Sequence, residues 1–362
     1  MEITANLTRL SDGLNFVLTR RRRAQYIGCL GIENLGDDAL YLAIQDIFAR
    51  HITFATTRIP RKISNVMGEH INPHAIFLGG GTLIKKSKLY LKRLNEFKRL
   101  YPQAKTIIFG TGVGDMDMWN QFGVPTDVSG WCEALERADY VSVRGPLSKQ
   151  HLERWGVTRQ VEVVGDPAVW FARDRIVPKR REKRIGINLG FTKGQLHGQD
   201  DNVVLSLGVN LLKRLKADHW QITLFPVVAS DIPFLHEAVA MAGIETPPMH
   251  MDYLNVRGTL NALEQQDVFI GEKLHSVVLA NCVYTPAIML EYRTKCRDYM
   301  LSTNQSDCSF RTDEIDADLI YDKIHALYDN AEQYQSHLFT QLQQLKSNLS
   351  RASQDVIAIL NR

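Results

Sequence analysis

A repeating order of short apolar runs, polar or glycine-rich turns and helix-length segments constrains the fold of this chain more than any other feature. It is clearest between Val268 and Met300, where the apolar run Val268–Ile270 leads through Gly271 into a helix-length segment. A second apolar run, Pro286–Leu290, leads into another such segment. Strands that alternate with helices form parallel sheets covered by helices on both faces. The sequence therefore predicts an α/β fold.

This order occurs in two successive runs, so we expect two doubly wound, Rossmann-like domains. Residues 1–172 would form the N-terminal domain and residues 185–315 the C-terminal domain. The basic segment 173–184 is interpreted as the linker, and residues 316–362 as a C-terminal helical extension. We expect an interdomain cleft, as in the two-domain GT-B architecture of glycosyltransferases. The expected strands are Gln25–Leu30, Ile52–Thr57, Ala75–Leu78, Lys105–Phe109, Tyr140–Val143, Val161–Val164, Ile185–Leu189, Gln221–Phe225, Val268–Ile270 and Pro286–Leu290.

Composition excludes several classes of protein. The net charge of +3 over 362 residues is too small to indicate a nucleic-acid partner. The five cysteines are widely spaced without a CxxC pair, which predicts neither a disulfide framework nor a zinc ribbon. The start of the chain lacks a signal-peptide pattern, and the apolar run Ser276–Leu290 is too short to span a bilayer. We expect a cytoplasmic protein. Four arginines, Arg20–Arg23, are interpreted as a solvated flank of the first strand or as a contact with anionic lipid or a lipid-linked substrate.

Glycine-rich turns follow several of the expected strands in the first half. Asp37 or Asp38 would cap the helix that follows the loop at Gly31–Gly36. The three glycines Gly79–Gly81 fit two interpretations, backbone approach to a ligand or tight packing against a neighbouring helix. The segment GTGVGD after Phe109 is expected to form a second glycine-rich loop.

Basic residues and a histidine follow the two strands of the second half. Lys273 and His275 come after Val268–Ile270, and Tyr292, Arg293 and Lys295 come after Pro286–Leu290. Ligands of parallel sheets bind at the carboxyl ends of strands, where helix N-termini favour anions. This arrangement predicts an anion site that contains a titratable group. No His, Cys, Asp and Glu cluster has metal-ligand spacing, so no metal site is expected.

Taken together, the motifs of this chain resemble those of the polysaccharide pyruvyl transferase family. The likeness extends over about Gln25–Met300, with the motifs in the family's order. Two of them are altered, because Lys273 stands where the family has arginine and Asp38 where it has glutamate. The matching segments are Glu33-Asn34-Leu35-Gly36-Asp37-Asp38, Gly79-Gly80-Gly81-Thr82-Leu83, GTGVGD, Ser142-Val143-Arg144, Asp166-Pro167-Ala168, Lys273-Leu274-His275, and Tyr292 with Lys295.

The resemblance implies transfer of pyruvate from phosphoenolpyruvate to a sugar hydroxyl pair of a cell-surface glycan or its precursor, without a metal or other cofactor. It implies catalytic roles for His275 and Arg144. The donor-binding residues would be Arg144, Lys273, Leu274, Gly79, Gly80, Gly81 and Thr82.

The chemical groups of phosphoenolpyruvate suggest a role for each of these residues. Phosphoenolpyruvate carries a carboxylate and a phosphate, so its site needs several cations. Arg144 could hold either group with its planar guanidinium, whereas Lys273 offers a point charge and cannot reproduce an arginine's bidentate contact. His275 is the candidate general acid or base. Asp37, Asp166 and Glu272 are candidates for a group that assists or orients it, and Tyr292, Arg293 and Lys295 are candidate anion contacts.

Other interpretations remain open at this point. Without the resemblance, His275 and Arg144 could be ordinary helix-start residues. A glycosyltransferase that uses a nucleotide sugar would share the architecture, as would a non-catalytic polysaccharide-assembly protein. The acceptor could be lipid-linked, which would suit peripheral membrane contact, and a homo-oligomer is open as well.

Overall fold

The computed structural model describes residues 19–56, 72–121, 123, 127–178 and 180–362. The described chain divides into two compact units, each with its own sheet. The first contains residues within 1–32, 40–167 and 347–362, and the second contains residues 33–39 and 168–346. The basic segment 173–184 falls within the second unit. The predicted domain limits stay a prediction.

The first unit is built on a parallel sheet in the order β2-β1-β3-β5-β6-β7, with β4 paired to β5. Every pair in this sheet is parallel, so the carboxyl ends of the strands lie at the same edge. There, Gly79 of β3 is paired with Phe109 of β5. The strands are β1 (Arg22–Ile27), β2 (Ile52–Ala55), β3 (Ala75–Gly79), β4 (Thr82–Ile84), β5 (Lys105–Val113), β6 (Tyr140–Val143) and β7 (Glu162–Val163).

The second unit has a parallel sheet in the order β12-β11-β10-β8-β9. Ile187 of β8 pairs with Ile270 of β10, and Ile270 pairs with Ile288 of β11. The strands are β8 (Arg184–Asn188), β9 (Gln221–Leu224), β10 (Val268–Gly271), β11 (Ala287–Glu291) and β12 (Ser309–Arg311).

Helices connect most of the consecutive strands in the described part of the chain, as parallel pairing requires. Two short 3₁₀ helices are Pro167–Phe171 and Ser306–Cys308. The α-helices are α1 (Leu35–Phe48), α2 (Leu89–Leu100), α3 (Met116–Gln121), α4 (Ser129–Glu136), α5 (Pro146–Arg154), α6 (Asp201–Ala217), α7 (Asp231–Ala242), α8 (Val256–Glu264), α9 (Leu274–Cys282), α10 (Thr294–Ser302), α11 (Ala317–Asp329) and α12 (Ala331–Leu360).

Apolar side chains cover both faces of the first sheet. Phe48 packs edge-on against Phe77 and Phe109, with ring centroids 5.2 and 5.1 Å apart. Trp131 and Leu152 are buried in the apolar cluster that includes Ile76, Leu78 and Ile108. Because both faces are covered, these strands are nearly continuous apolar runs, which is why the sequence pattern identified them.

The structure corrects three local predictions. The first strand spans Arg22–Ile27 rather than Gln25–Leu30. The segment after Phe109 is not a loop at once, because β5 continues to Val113 and pairs Gly112 with Thr82 of β4. The strands β4 and β12 were not predicted. No helix within the described ranges is both long and apolar enough to cross a membrane.

Candidate active site

Arg144 lies at the carboxyl end of β6 in the first unit, directly before α5. Its side chain is only 1% exposed. Its Nη2 donates a hydrogen bond to Oγ1 of Thr82 at 3.3 Å, and its Nη1 lies 3.6 Å from Oδ2 of Asp166. Sequence reasoning had named all three residues, and here the fold brings them together.

Two donors of this buried guanidinium are unused. Within the described part of the chain, Nε and Nη1 of Arg144 have no hydrogen-bond partner. A buried charge is costly unless hydrogen bonds compensate it. Gly112 makes room for the group, because a Cβ there would lie 2.6 Å from Nη2 of Arg144. These donors are of the kind that pair with an oxyanion such as a carboxylate or phosphate, and the side chain is enclosed in this structure.

The three glycines before Thr82 lie close to α1. A Cβ at Gly79 would be 2.7 Å from Cδ1 of Ile44, and one at Gly80 would be 2.8 Å from Cβ of Leu40. Gly80 also has a φ of +64°, which side chains other than glycine rarely adopt. Helix packing therefore accounts for Gly79 and Gly80, while their role in donor binding stays a prediction.

In the second unit, Lys273 sits at the end of β10 as the N-cap residue of α9. Its backbone N–H donates to Oδ1 of Asn188 at 2.9 Å. Its ammonium lies 3.9 Å from Oδ1 of Asp231 and 3.5 Å from the carbonyl of Phe191. The side chain, 15% exposed, turns inward toward these acceptors. Leu274, the next residue, is buried at the start of α9.

Glu272, beside Lys273, is fully buried. Its Oε2 accepts the backbone N–H of Gly190 at 2.8 Å, and its Oε1 accepts no hydrogen bond from the described residues. Burial raises the pKa of Glu272 to about 7, against the opposing charge of Lys273. Burial also raises the pKa of Asp231, again opposed by Lys273. A carboxyl group with a pKa near neutrality can donate and accept protons.

Three cations surround the ring of Tyr292, which follows β11. The ring centroid lies 5.4 Å from Nζ of Lys273, 4.8 Å from Nζ of Lys295 and 5.2 Å from Cζ of Arg293. Burial raises the pKa of the Tyr292 hydroxyl far above its ordinary value. Arg293 also donates to the carbonyl and the side-chain oxygen of Gln195. The fold thus gathers the predicted anion contacts around one neutral aromatic ring.

His275, half-buried in the first turn of α9, packs against the motif at the start of α1. A Cβ at Gly36 would lie 2.1 Å from Nδ1 of His275. The predicted cap at Asp37 or Asp38 is wrong, because Oδ1 of Asn34 accepts the backbone N–H groups of Gly36 and Asp37. Asn supplies the same cap oxygen one turn earlier.

The two acids are instead in the first turn of α1. Burial and the charge of Asp37 raise the pKa of Asp38 to about 6. A carboxylate in the first turn is favoured by the helix dipole. Their place beside Gly36 leaves Asp37 a candidate for orienting His275.

Sequence reasoning missed Asp231 and Asn188. Oδ2 of Asp231 accepts the backbone N–H groups of Val227 and Val228 at 3.0 and 3.3 Å, and it lies 3.4 Å from Nδ2 of Asn188. An asparagine at a strand end and an aspartate opening a helix were the available signals. Among the described residues, no cluster of His, Cys, Asp and Glu could hold a metal ion.

Solved structures with the same architecture confirm the predicted GT-B fold. UDP-GlcNAc 2-epimerase from Neisseria meningitidis bound to UDP-GlcNAc has a TM-score of 0.58 at 10% identity, covering 94% of this chain and 99% of that one. A glycosyltransferase from Rickettsia africae has a TM-score of 0.57 at 10% identity, covering 95% and 100%. Trehalose-6-phosphate synthase OtsA has a TM-score of 0.56 at 11% identity, covering 94% and 99%. At such identities the likeness concerns the fold alone.

The search of curated proteins gave no significant match. The family comparison is more specific than the structural one. The polysaccharide pyruvyl transferase model matches residues 34–294, the part of the chain that includes Asn34, Arg144, Asp231 and Lys273. This match confirms the resemblance drawn from the motifs. The chain belongs to the polysaccharide pyruvyl transferase family.

Proposed function

We propose that this protein transfers pyruvate from phosphoenolpyruvate to a pair of hydroxyl groups on a sugar of a cell-surface glycan or its precursor, forming a cyclic ketal. The observation that carries the proposal is the buried guanidinium of Arg144 with two unused donors. Such a group suits the carboxylate or phosphate of the donor. The family assignment supports the same reaction class.

The reaction needs two proton transfers and one leaving group. Carbon C3 of phosphoenolpyruvate gains a proton, a sugar hydroxyl adds to C2, and the C2–O bond to phosphate breaks with its electron pair leaving on phosphate. The second hydroxyl then closes the ketal ring. The two hydroxyl groups release two protons in total; one balances the proton now on C3, and the other leaves with phosphate.

Residues of the second unit supply the acid–base groups in this proposal. We assign general acid–base catalysis to His275, because an imidazole can donate a proton through one ring nitrogen and accept one through the other. Glu272 is the second candidate, since its raised pKa of about 7 leaves it partly protonated at neutral pH. Lys273 and Lys295 would add positive charge for the donor. The reaction would take place in the cytoplasm, on a polymer or a lipid-linked precursor.

Ligand-induced thermal stabilisation tests the donor. Phosphoenolpyruvate, UDP-, GDP- and CMP-sugars would each be added to the native protein and to Arg144→Lys, which keeps the charge but loses the planar fork. A ligand at a hundredfold excess over its Kd stabilises the native state by about 2.7 kcal/mol. Arg137→Lys is the matched control, because the Arg137 side chain is 82% exposed and lies 4.0 Å from Glu133.

The expected result is stabilisation by phosphoenolpyruvate that is lost in Arg144→Lys and kept in Arg137→Lys. Acceptor-dependent phosphate release should then be abolished by His275→Gln. Stabilisation by a nucleotide sugar, without any by phosphoenolpyruvate, would favour a glycosyltransferase instead. An unchanged pyruvate content of the glycan in cells that carry His275→Gln or Arg144→Lys would point to a non-catalytic assembly protein.

A further inference from the structure

The ammonium of Lys273 is held from three directions within the second unit. Oδ1 of Asp231 lies 3.9 Å away, the carbonyl of Phe191 lies 3.5 Å away, and the ring of Tyr292 lies 5.4 Å away. A lysine side chain carries its ammonium on a flexible four-carbon stem and is ordinarily mobile. Here its end is confined, and only a small part of the side chain remains accessible.

Asp231 is itself rigidly placed. One of its oxygens, Oδ2, accepts two backbone N–H groups, from Val227 and Val228, and lies near the Asn188 amide. The other oxygen, Oδ1, faces Lys273 and accepts no hydrogen bond from the described residues. The carboxylate is therefore anchored through one oxygen while the other is left for the ammonium.

Gly190 makes this pairing sterically feasible. A Cβ at this position would lie 2.3 Å from Oδ1 of Asp231 and 2.3 Å from Cε of Lys273. Its backbone N–H donates to Glu272, so the same residue also fixes the neighbouring carboxyl group. The segment between β8 and α6 thus lies against the ion pair at Gly190, where a larger side chain would overlap both partners.

We propose that Asp231 is the positioning residue for Lys273, and that the two act as one unit to present a single cation to an anionic donor. This inference rests on the proposed function, because it assigns the cation to phosphoenolpyruvate. An arginine holds its orientation through a planar fork, whereas this lysine is oriented from behind by a buried carboxylate.

Amine acylation followed by mass spectrometry tests the positioning without any ligand. Lys273 should react slowly in the native protein compared with the exposed Lys213. Asp231→Asn keeps the shape of the side chain but removes the negative charge that faces the ammonium. We expect acylation of Lys273 to rise roughly tenfold in this variant, because the side chain loses its carboxylate partner and becomes more accessible.

A matched pair elsewhere in the same unit controls for general loosening. Lys323 is 16% exposed, close to the 15% of Lys273, and lies 2.6 Å from Asp307. Asp307→Asn should raise acylation of Lys323 and leave Lys273 unchanged. Gly190→Ala is a second route to the same effect, because its Cβ would displace Asp231 and Lys273 from each other without changing either.

The second part of the test measures the Kd for phosphoenolpyruvate in single and double variants. Asp231→Asn and Lys273→Met should each raise the Kd for phosphoenolpyruvate about tenfold, and Asp231→Asn should add less than about twofold when Lys273 is already methionine. Lys273→Arg should keep the affinity, since its charge still faces Asp231.

Unchanged acylation of Lys273 in folded Asp231→Asn and Gly190→Ala would overturn the inference. So would Kd effects that multiply fully in the double variant. If the native protein does not bind phosphoenolpyruvate, the proposed function fails, while the acylation arm still decides whether Asp231 positions Lys273.

Discussion

Nη1 of Arg144 and Oδ2 of Asp166 lie 3.6 Å apart, with both side chains excluded from solvent. At this distance the two groups form an ion pair, but Nη1 and Oδ2 are too far apart for a good hydrogen bond. Asp166 thus balances the charge of Arg144 without accepting a hydrogen bond from Nη1. The contribution of this ion pair to the free energy of unfolding can be measured.

Removing the carboxylate should destabilise the protein strongly. Asp166→Ala leaves the buried charge of Arg144 uncompensated, and we expect the free energy of unfolding to fall by about 3–5 kcal/mol. Urea denaturation measures it. The control is Asp174→Ala, which removes a pair with Lys346 whose aspartate is 92% exposed and should cost less than about 1 kcal/mol. Similar losses in both variants would contradict this account of Asp166.

Glu272 should make stability depend on pH. Its pKa is about 7 in the folded protein against an ordinary 4.5, so its contribution to stability is complete below pH 4.5 and is lost as the pH rises through about 7. Glu272→Gln removes this dependence. Relative to the native protein, the variant should gain up to about 3 kcal/mol between pH 4 and pH 8. If the free energy of unfolding depends on pH in the same way in both proteins, burial does not raise the pKa of Glu272.

Gly36→Ala should impair catalysis through His275. The new methyl group would overlap the imidazole, and a displacement of about 1 Å can cost on the order of a hundredfold in rate. Phosphate release should fall by that order, with a smaller change in the Kd for phosphoenolpyruvate. Gly130→Ala is the control, because its Cβ would meet only the end of the Leu91 side chain, at 3.0 Å. Full activity in Gly36→Ala would separate His275 from the chemistry.

The glycines before Thr82 allow packing to be distinguished from ligand binding. Gly79→Ala should destabilise by about 1–3 kcal/mol through overlap with Cδ1 of Ile44. Combining it with Ile44→Val removes that methyl group, so the double variant should be less unstable than the sum of the single changes. Additive losses would mean that Ile44 is not the obstacle. A raised Kd for phosphoenolpyruvate in the folded double variant would restore the ligand interpretation of Gly79.

Local patterns predicted most of the fold. Tyr140–Val143 was predicted with the bounds that β6 has, because an apolar run between polar turns is unambiguous. The strand β5 was predicted to end at Phe109, because glycines after an apolar run ordinarily end a strand. In the structure it continues to Val113. Here the glycines continue it beside β4 and leave space for Arg144.

The candidate site was predictable only in part. Arg144, Lys273 and His275 stood in recognisable motifs, so their positions were found. The contact between Gly36 and His275 joins residues far apart in the chain, and no local pattern contains it. Asp231 resembles any acid that opens a helix, and only the fold places it against Lys273.

The edge strands of the two sheets carry a consequence for association. Among the described residues, the first sheet ends in β2 and β7, and the second in β9 and β12. These strands have four, two, four and three residues. Edges this short offer little template for a strand from another molecule, which protects a sheet from edge-to-edge aggregation. A second copy of this chain would therefore be held by side chains on helices and loops rather than by extension of either sheet.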